Sequence, residues 1–278
     1  MKKKYVKSPL NYVGGKFKLL KEIIPLFPEE IDTFVDLFGG GFNVGINVKA
    51  NKILYNDIEH HVVELMRYLQ ATNRAQLLSE IDMLIDTYNL SKDNSEGFNK
   101  LRDYYNEENN SPIVFYTLIC YAFNYQIRFN KVGKYNMPFG KDRSSFNDTL
   151  RQKFVEFVDV LHNKDCIFFN VPFNKFDFSN LDNSDFVYCD PPYFNSTAAY
   201  NERGGWTEQH EKSLLELLDR LNEQGVRFAL SNNLKYENPL LDDWKNKYTV
   251  HYLNGDYSNC NYHKIDRSKD IEVLITNY

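Results

Sequence analysis

The sequence predicts an α/β protein: a doubly wound, mostly parallel sheet with an inserted, mainly helical subdomain. Three observations carry that prediction. A unit of βαβ size lies ahead of His60, strand-like segments return from Cys166 onward, and the interval between them shows helical apolar spacing.

Residues 31–38, Ile-Asp-Thr-Phe-Val-Asp-Leu-Phe, read as a strand running into Gly39-Gly40-Gly41. Residues 53–57, Ile-Leu-Tyr-Asn-Asp, read as a second strand. The segment between them is helix-sized, which suits a crossover between parallel strands. After His60 the pattern changes: Val62, Val63, Leu65, Met66 and Leu69 recur at helical spacing, and Leu77, Leu78, Ile81, Leu84 and Ile85 do so again. Strand-like runs resume at residues 166–171, 185–189, 226–231 and 271–276, with residues 214–221 as an amphipathic helix among them. An interruption of roughly a hundred residues is too long for an ordinary connection in a compact fold. The expected division is therefore a sheet domain from residues 1–58 and 160–278, and an inserted helical domain from residues 59–159 with a hairpin near 126–140.

A chain of 278 residues, 42% hydrophobic and 26% charged, suits one large domain or one domain with an insertion. No apolar run reaches the ~20 residues of a membrane-spanning helix. The start, Met1-Lys2-Lys3-Lys4-Tyr5, lacks the apolar stretch of a secretory signal, so a cytoplasmic protein without a membrane partner is expected. Cys120, Cys166, Cys189 and Cys260 are scattered and read as reduced thiols. Cys260 and His263 make an isolated Cys-x-x-His pair, but a tetrahedral site needs two more ligands, so no metal is expected. The net charge of −5 argues against a nucleic-acid partner only on average. Residues 121–145 hold Arg128, Lys131, Lys134, Lys141 and Arg143 against the single acid Asp142, and a phosphate backbone responds to that local patch.

Chemistry concentrates in three segments. In Asp190-Pro191-Pro192-Tyr193, which follows the apolar run Phe186-Val187-Tyr188-Cys189, two prolines fix φ and force the preceding residue into extended geometry. Asp190 is thus held stiffly at a strand's carboxyl end, where open α/β sheets bind ligands. A carboxylate there, with the Pro191 carbonyl, could accept both hydrogens of an exocyclic amine and localise its lone pair, and Tyr193 could stack on the base. The second segment is Asp36-Leu37-Phe38-Gly39-Gly40-Gly41-Phe42, a glycine turn that lets backbone approach a ligand; Asp57 ends the next strand, near the position from which an acid binds a ribose. As a dinucleotide fingerprint it is imperfect, because Val44 replaces the last glycine. The third is Lys7-Ser8-Pro9-Leu10-Asn11-Tyr12-Val13-Gly14-Gly15-Lys16, in which Leu10 and Phe17 replace the first glycine and the hydroxyl residue of a phosphate loop.

These segments, in this order, with the helical interruption ahead of Asp-Pro-Pro-Tyr, resemble the Dam-type DNA adenine methyltransferases over nearly the whole chain. The resemblance implies the S-adenosylmethionine-dependent methyltransferase fold and methylation of the N6 amine of adenine in double-stranded DNA, by base flipping and direct in-line transfer without a metal. It implies that Tyr12 and Lys16 bind the methionine end of S-adenosylmethionine, that Phe38 and Gly40 line the cofactor pocket and that Asp57 binds the ribose. Asp190, Pro191, Pro192 and Tyr193 would form the catalytic segment, with Asp190 also against the cofactor. Phe42 departs from the family, where a further glycine is frequent.

In the interval from Phe123 to Gly140, aromatic, amide and basic residues interleave around a turn at Gly133. By its residues alone this is a basic hairpin suited to phosphate. The frame Arg-Phe-Asn … Asn-x-Pro-Phe-Gly is similar to the recognition hairpin of enzymes that methylate GATC, although Gln126 stands where an apolar residue is frequent. The resemblance then implies DNA contacts from Phe123, Asn124, Gln126, Arg128, Asn130, Lys134, Asn136 and Pro138, with Arg128 on a guanine, Pro138 on a thymine methyl and the aromatics wedging into the stack. A bacterial or phage enzyme is expected, either free-standing or paired with a separately acting restriction endonuclease.

A cytosine ring methyltransferase needs a nucleophilic cysteine, usually after proline, and no cysteine here follows one. Two alternatives stay open: methylation of an exocyclic cytosine amine, and a DNA-binding relative that has lost catalysis. Methylation of RNA or of a protein glutamine would usually replace Asp190 by Asn.

Overall fold

The computed structural model describes residues 4–196, 205–253 and 271–278. In chain order the helices and strands begin with α1 (Leu20–Ile23), β1 (Thr33–Asp36), β2 (Lys52–Asn56), α2 (His60–Ala71), α3 (Arg74–Thr87), α4 (Ser95–Glu107), α5 (Pro112–Tyr121) and α6 (Asp148–His162). They continue with β3 (Cys166–Phe169), β4 (Phe186–Cys189), α7 (Glu208–Glu223), β5 (Arg227–Asn233), α8 (Pro239–Trp244), β6 (Thr249–Tyr252) and β7 (Glu272–Thr276). Two compact units divide the chain. One takes the described residues of Met1–Gly15, Gly40–Ile46 and Glu59–Lys164; the other takes those of Lys16–Gly39, Asn47–Ile58 and Asp165–Tyr278. The helical unit thus includes residues 4–15 and 40–46, whose sequence pattern gave no sign of it.

The second unit contains the sheet, whose order among the described residues is β3-β2-β1-β4-β5-β7-β6. The first five strands in that order run parallel, while β7 is antiparallel to both β5 and β6. Strands are added outward from β1 in one direction through β2 and β3, and in the other through β4 and β5, so the order reverses between β1 and β4. That is the topological switch point at which open α/β sheets leave a crevice beyond the carboxyl ends.

Each strand reads as it does because of what covers it. All four residues of β4 are buried, as a parallel strand covered on both faces requires. On one face α7 lays down Leu214, Leu217, Leu218 and Leu221, spaced for one helical stripe, against Val187, Phe228, Leu230 and Val273. Each such leucine contributes about 1.5–3 kcal/mol on burial. The other face is aromatic: Phe27 meets Phe186 edge-on at 4.7 Å and Tyr188 at 5.5 Å.

Two expectations change. The stretch after β1 is not an α-helix; it holds only a short 3-10 turn at Gly45–Asn47. Gly40 at φ +48° and Phe42 at φ +60° lie outside right-handed helical geometry, and the glycines and asparagines there have low helix propensity. The strand β6, unforeseen, is Thr-Val-His-Tyr with no buried residue, an edge strand without a periodic apolar signal.

In the helical unit every residue from Ile113 to Tyr121 of α5 is buried. A helix apolar all round has to be a core helix. Around it stand Val62, Leu65, Met66 and Leu69 of α2, Leu77 and Ile81 of α3, and Phe98 and Leu101 of α4, while α6 packs on α2 and α3 and its Phe154 meets Tyr116 of α5 at 4.8 Å. Asn73, Asn94 and Asn147 cap α3, α4 and α6 through their side chains, each worth about 1 kcal/mol.

Among the described residues no helix is long and apolar enough to cross a membrane. Cys120, Cys166 and Cys189 are buried free thiols. Cys260 and His263 lie outside the described residues.

Candidate active site

Asp190 stands one residue beyond β4, at the switch-point edge of the sheet. Its carboxylate oxygen lies 2.7 Å from the Lys16 ammonium, with side-chain exposures of 17% and 6% respectively. Burial pushes the Asp190 carboxyl above the ordinary aspartate range, the Lys16 charge and hydrogen bond pull it back, and Glu272 raises it again. Burial there favours the neutral acid, and the ion pair opposes it.

Tyr193 sits over the same pair. The Lys16 ammonium is 5.0 Å from its ring centroid, and its hydroxyl donates to a Glu272 carboxylate oxygen at 2.9 Å. Burial and the charges of Asp190 and Glu272 push that hydroxyl well above the usual tyrosine range, so it stays a protonated donor. The other Glu272 oxygen accepts from the Asn233 side-chain amide at 3.0 Å. Beneath, the hydroxyls of Tyr188 and Ser231 are 2.8 Å apart. The side-chain nitrogen of buried Asn232 has no hydrogen-bond partner among the described residues.

Along the same edge, Phe38 follows β1 and Asp57 follows β2. Phe38 packs against Phe173 at 5.5 Å and edge-on against Trp206 at 5.7 Å, while Phe173 and Trp206 are 5.5 Å apart. The Trp206 indole donates to Glu211 at 2.5 Å, and the Asn238 amide donates to the other Glu211 oxygen at 2.7 Å. Burial raises the Glu211 carboxyl. Asp57 is 7% exposed. The turn before it leaves room only for glycine at 39, because a Cβ there would lie 2.1 Å from the Tyr55 ring.

In the helical unit, Tyr12 begins a turn closed by the Gly15 amide on its carbonyl at 3.2 Å. A Cβ on Gly40 would stand 3.0 Å from the Tyr12 ring, so the glycine backbone lies close against that ring. Phe42, the departure from the family pattern, holds a left-handed φ of 60°, a conformation natural to glycine, and its side chain is fully buried.

The basic segment after α5 is an irregular hairpin. Phe129 bridges Tyr135, Ala122 bridges Phe139, and Gly133 turns at φ 80°. The Asn130 side chain accepts from the amides of Val132 at 3.1 Å and Lys134 at 3.0 Å, which builds the turn. Arg128 donates to the Asn136 side chain at 2.9 Å and to its carbonyl at 2.8 Å. Lys134 is 3.6 Å from Glu107. Phe123, Asn124, Arg128 and Pro138 are exposed, and Gln126 is half-buried. Asn124 and Tyr125 both hold left-handed φ, at 53° and 56°. Such strain, about 1–3 kcal/mol per residue, concentrates where a segment must present side chains in a fixed way. Asn11 donates to the Asn124 carbonyl at 2.8 Å and braces this strained pair.

Of the residues singled out from sequence, Lys16, Asp190 and Tyr193 come into direct contact, and Phe38 and Asp57 share the edge of their sheet. Reading the sequence gave no site role to Phe173, Trp206 or Glu211, nor to Asn233 and Glu272, which it placed only as the end of one strand and the start of the last. Only Glu272 carried a signal, as a lone acid opening an otherwise apolar strand.

Residues 12–265 match the model of the D12 class N6 adenine-specific DNA methyltransferases. The type II methyltransferase M.FokI of Planomicrobium okeanokoites is 52% identical over 281 residues, covering 99% of this chain and 43% of that protein. The modification methylase StsI of Streptococcus sanguinis is 45% identical over 285 residues, again 99% and 43% of the two chains. The chain therefore spans about two fifths of the length of these relatives. The DNA adenine methylase of Escherichia coli K12 is 23% identical over 251 residues, covering 88% of this chain and 86% of that one.

Proposed function

The chain belongs to the D12 class N6 adenine-specific DNA methyltransferases, and on that premise we propose that it methylates the N6 amine of an adenine in double-stranded DNA, with Asp190 as the group that holds the amine. The observation that carries this reading is the Lys16–Asp190 pair: a buried carboxyl group 2.7 Å from an ammonium at a sheet edge, on a stiff Asp-Pro-Pro segment. The adenine amine is a weak nucleophile because its lone pair is spread into the ring. The Asp190 carboxylate accepts one N6 hydrogen and the Pro191 carbonyl the other, which turns the lone pair out of the ring plane. Once the nitrogen is methylated its proton becomes acidic, and the same carboxylate accepts it. Tyr193 stacks on the extruded base.

S-adenosylmethionine supplies, when bound, an electrophilic methyl group that the N6 lone pair takes up. The residues of the sheet unit fit a cation of that kind: Lys16, Asp190 and Glu272 gather one positive against two negative groups in a nearly buried space. Phe38 offers an apolar wall extended by Phe173 and Trp206, and Asp57 suits a ribose diol. By the family resemblance Tyr12 and Gly40, in the helical unit, are cofactor residues too. The exposed hairpin residues Phe123, Asn124, Arg128 and Pro138, with Gln126, Asn130, Lys134 and Asn136, form the DNA-contacting set. We place the protein in a bacterial cytoplasm, in a restriction–modification setting.

The test is expression in a host lacking adenine methylation, with modified bases mapped by single-molecule sequencing; GATC is the first target to score. N6-methyladenine in one short motif, lost with Asp190→Ala, supports the reading. Unmodified adenines, or methylation of a cytosine amine, would overturn it.

A further inference from the structure

Resting on the reading that Asp190 holds an adenine amine, we propose that Glu272 is the positioning residue of Tyr193: it fixes the plane of the ring on which the base stacks. The topology puts it there. Strand β7 runs antiparallel to β5, with Asn233 opposite Glu272 in register, so β7 begins at the edge where the parallel strands end. A seventh strand added in parallel would have brought its last residue, Thr276, to that edge instead.

Glu272 is clamped from behind. One of its oxygens accepts from the Asn233 side-chain nitrogen, and the Asn233 side-chain oxygen Oδ1 accepts from the backbone amides of Lys235 at 3.0 Å and Ile271 at 3.2 Å. The other oxygen accepts from the Tyr193 hydroxyl at 2.9 Å. Backbone thus holds Asn233, Asn233 holds Glu272, and Glu272 holds the far end of the tyrosine. The near end is held by Pro191-Pro192. A ring fixed at both ends cannot tilt, and a base stacked on it keeps its amine directed at Asp190. Holding reacting groups to within about 10–20° is what such supporting contacts achieve.

The experiment measures single-turnover methyl transfer, the KM for DNA and for S-adenosylmethionine, and the thermal midpoint of parent, Glu272→Leu, Tyr193→Phe and the double variant. Leucine offers the Tyr193 hydroxyl neither a donor nor an acceptor, so the clamp is broken at similar volume, whereas a glutamine amide could still donate to that hydroxyl. The expected result is a transfer rate about tenfold to a hundredfold lower in each single variant, a scale typical of small misplacements at a reacting centre. Both KM values stay near the parent's, and the double variant loses no more than Tyr193→Phe alone, because Glu272 acts only through that hydroxyl. Losses that multiply in the double variant, or transfer within twofold of the parent in Glu272→Leu, would overturn the proposal. Should Glu272→Leu fail to fold, Glu272→Asp, whose carboxylate is withdrawn by one methylene, takes its place under the same criteria. A parent that methylates no adenine refutes the functional reading itself, which is a separate outcome seen before any variant is made.

Discussion

The Lys16 ammonium and the Asp190 carboxylate, far apart in the chain, meet at 2.7 Å at the carboxyl edge of β4. A charge buried beside another is stable only while both are present, and removing one partner leaves the other uncompensated, at a cost of about 3–5 kcal/mol. The pair is therefore a structural commitment as well as a chemical one.

Asp190→Ala removes the proposed acceptor for the target amine. Methyl transfer should fall by at least about 10²-fold, the scale on which one preorganised electrostatic partner acts. Cofactor affinity, measured by calorimetry, should fall by less than the transfer rate does, because Phe38 and Asp57 keep their proposed cofactor contacts.

The pH dependence has a definite sign. Burial raises the Asp190 carboxyl and Lys16 opposes that rise. The working form is the carboxylate, so transfer is fully present above the raised value and is lost as pH falls through it. Lys16→Met removes the opposing charge and should move the acid limb of the rate profile to higher pH. A limb that stays in place, or moves to lower pH, contradicts the pairing.

Gly39→Ala tests the turn after β1. Its Cβ would lie 2.1 Å from the Tyr55 ring, a clash with a fully buried side chain rather than a flexible tip. Overpacking of this kind should cost about 1–3 kcal/mol, read from denaturant midpoints.

Arg128 is held by Asn136 through two hydrogen bonds, so its reading of a base competes with an internal contact. Arg128→Ala should cost about 1–3 kcal/mol of discrimination at one base pair. Unchanged preference at every position of the mapped target would remove Arg128 from the reading set.

Trp206 and Trp244 are the two tryptophans of the chain, so Trp244→Phe leaves one emitter against Phe38 and Phe173. Its emission should shift when S-adenosylmethionine is added. An indifferent spectrum at saturating cofactor would place the aromatic wall elsewhere.

The sequence by itself determined what local covalent geometry and periodicity encode. Apolar runs marked β1 to β5 and β7, the leucine stripe marked α7, and the prolines after Asp190 announced a rigid acid at a strand end. The glycine turn was legible because only glycine tolerates the approach to Tyr55, and the hairpin because Gly133 punctuates a basic, aromatic run. The edge strand β6 was not, since a half-exposed four-residue strand has no pattern to repeat.

What only the tertiary structure decided is which distant segments meet. The strand order, the reversal of β7, and so the arrival of Glu272 at Tyr193 and of Lys16 at Asp190, depend on hydrogen-bond ladders and buried area summed over the whole sheet. No window of sequence contains that sum. A carboxylate's partner is chosen by where the backbone ends up, and that choice brought Asp190 to Lys16 and Glu272 to Tyr193.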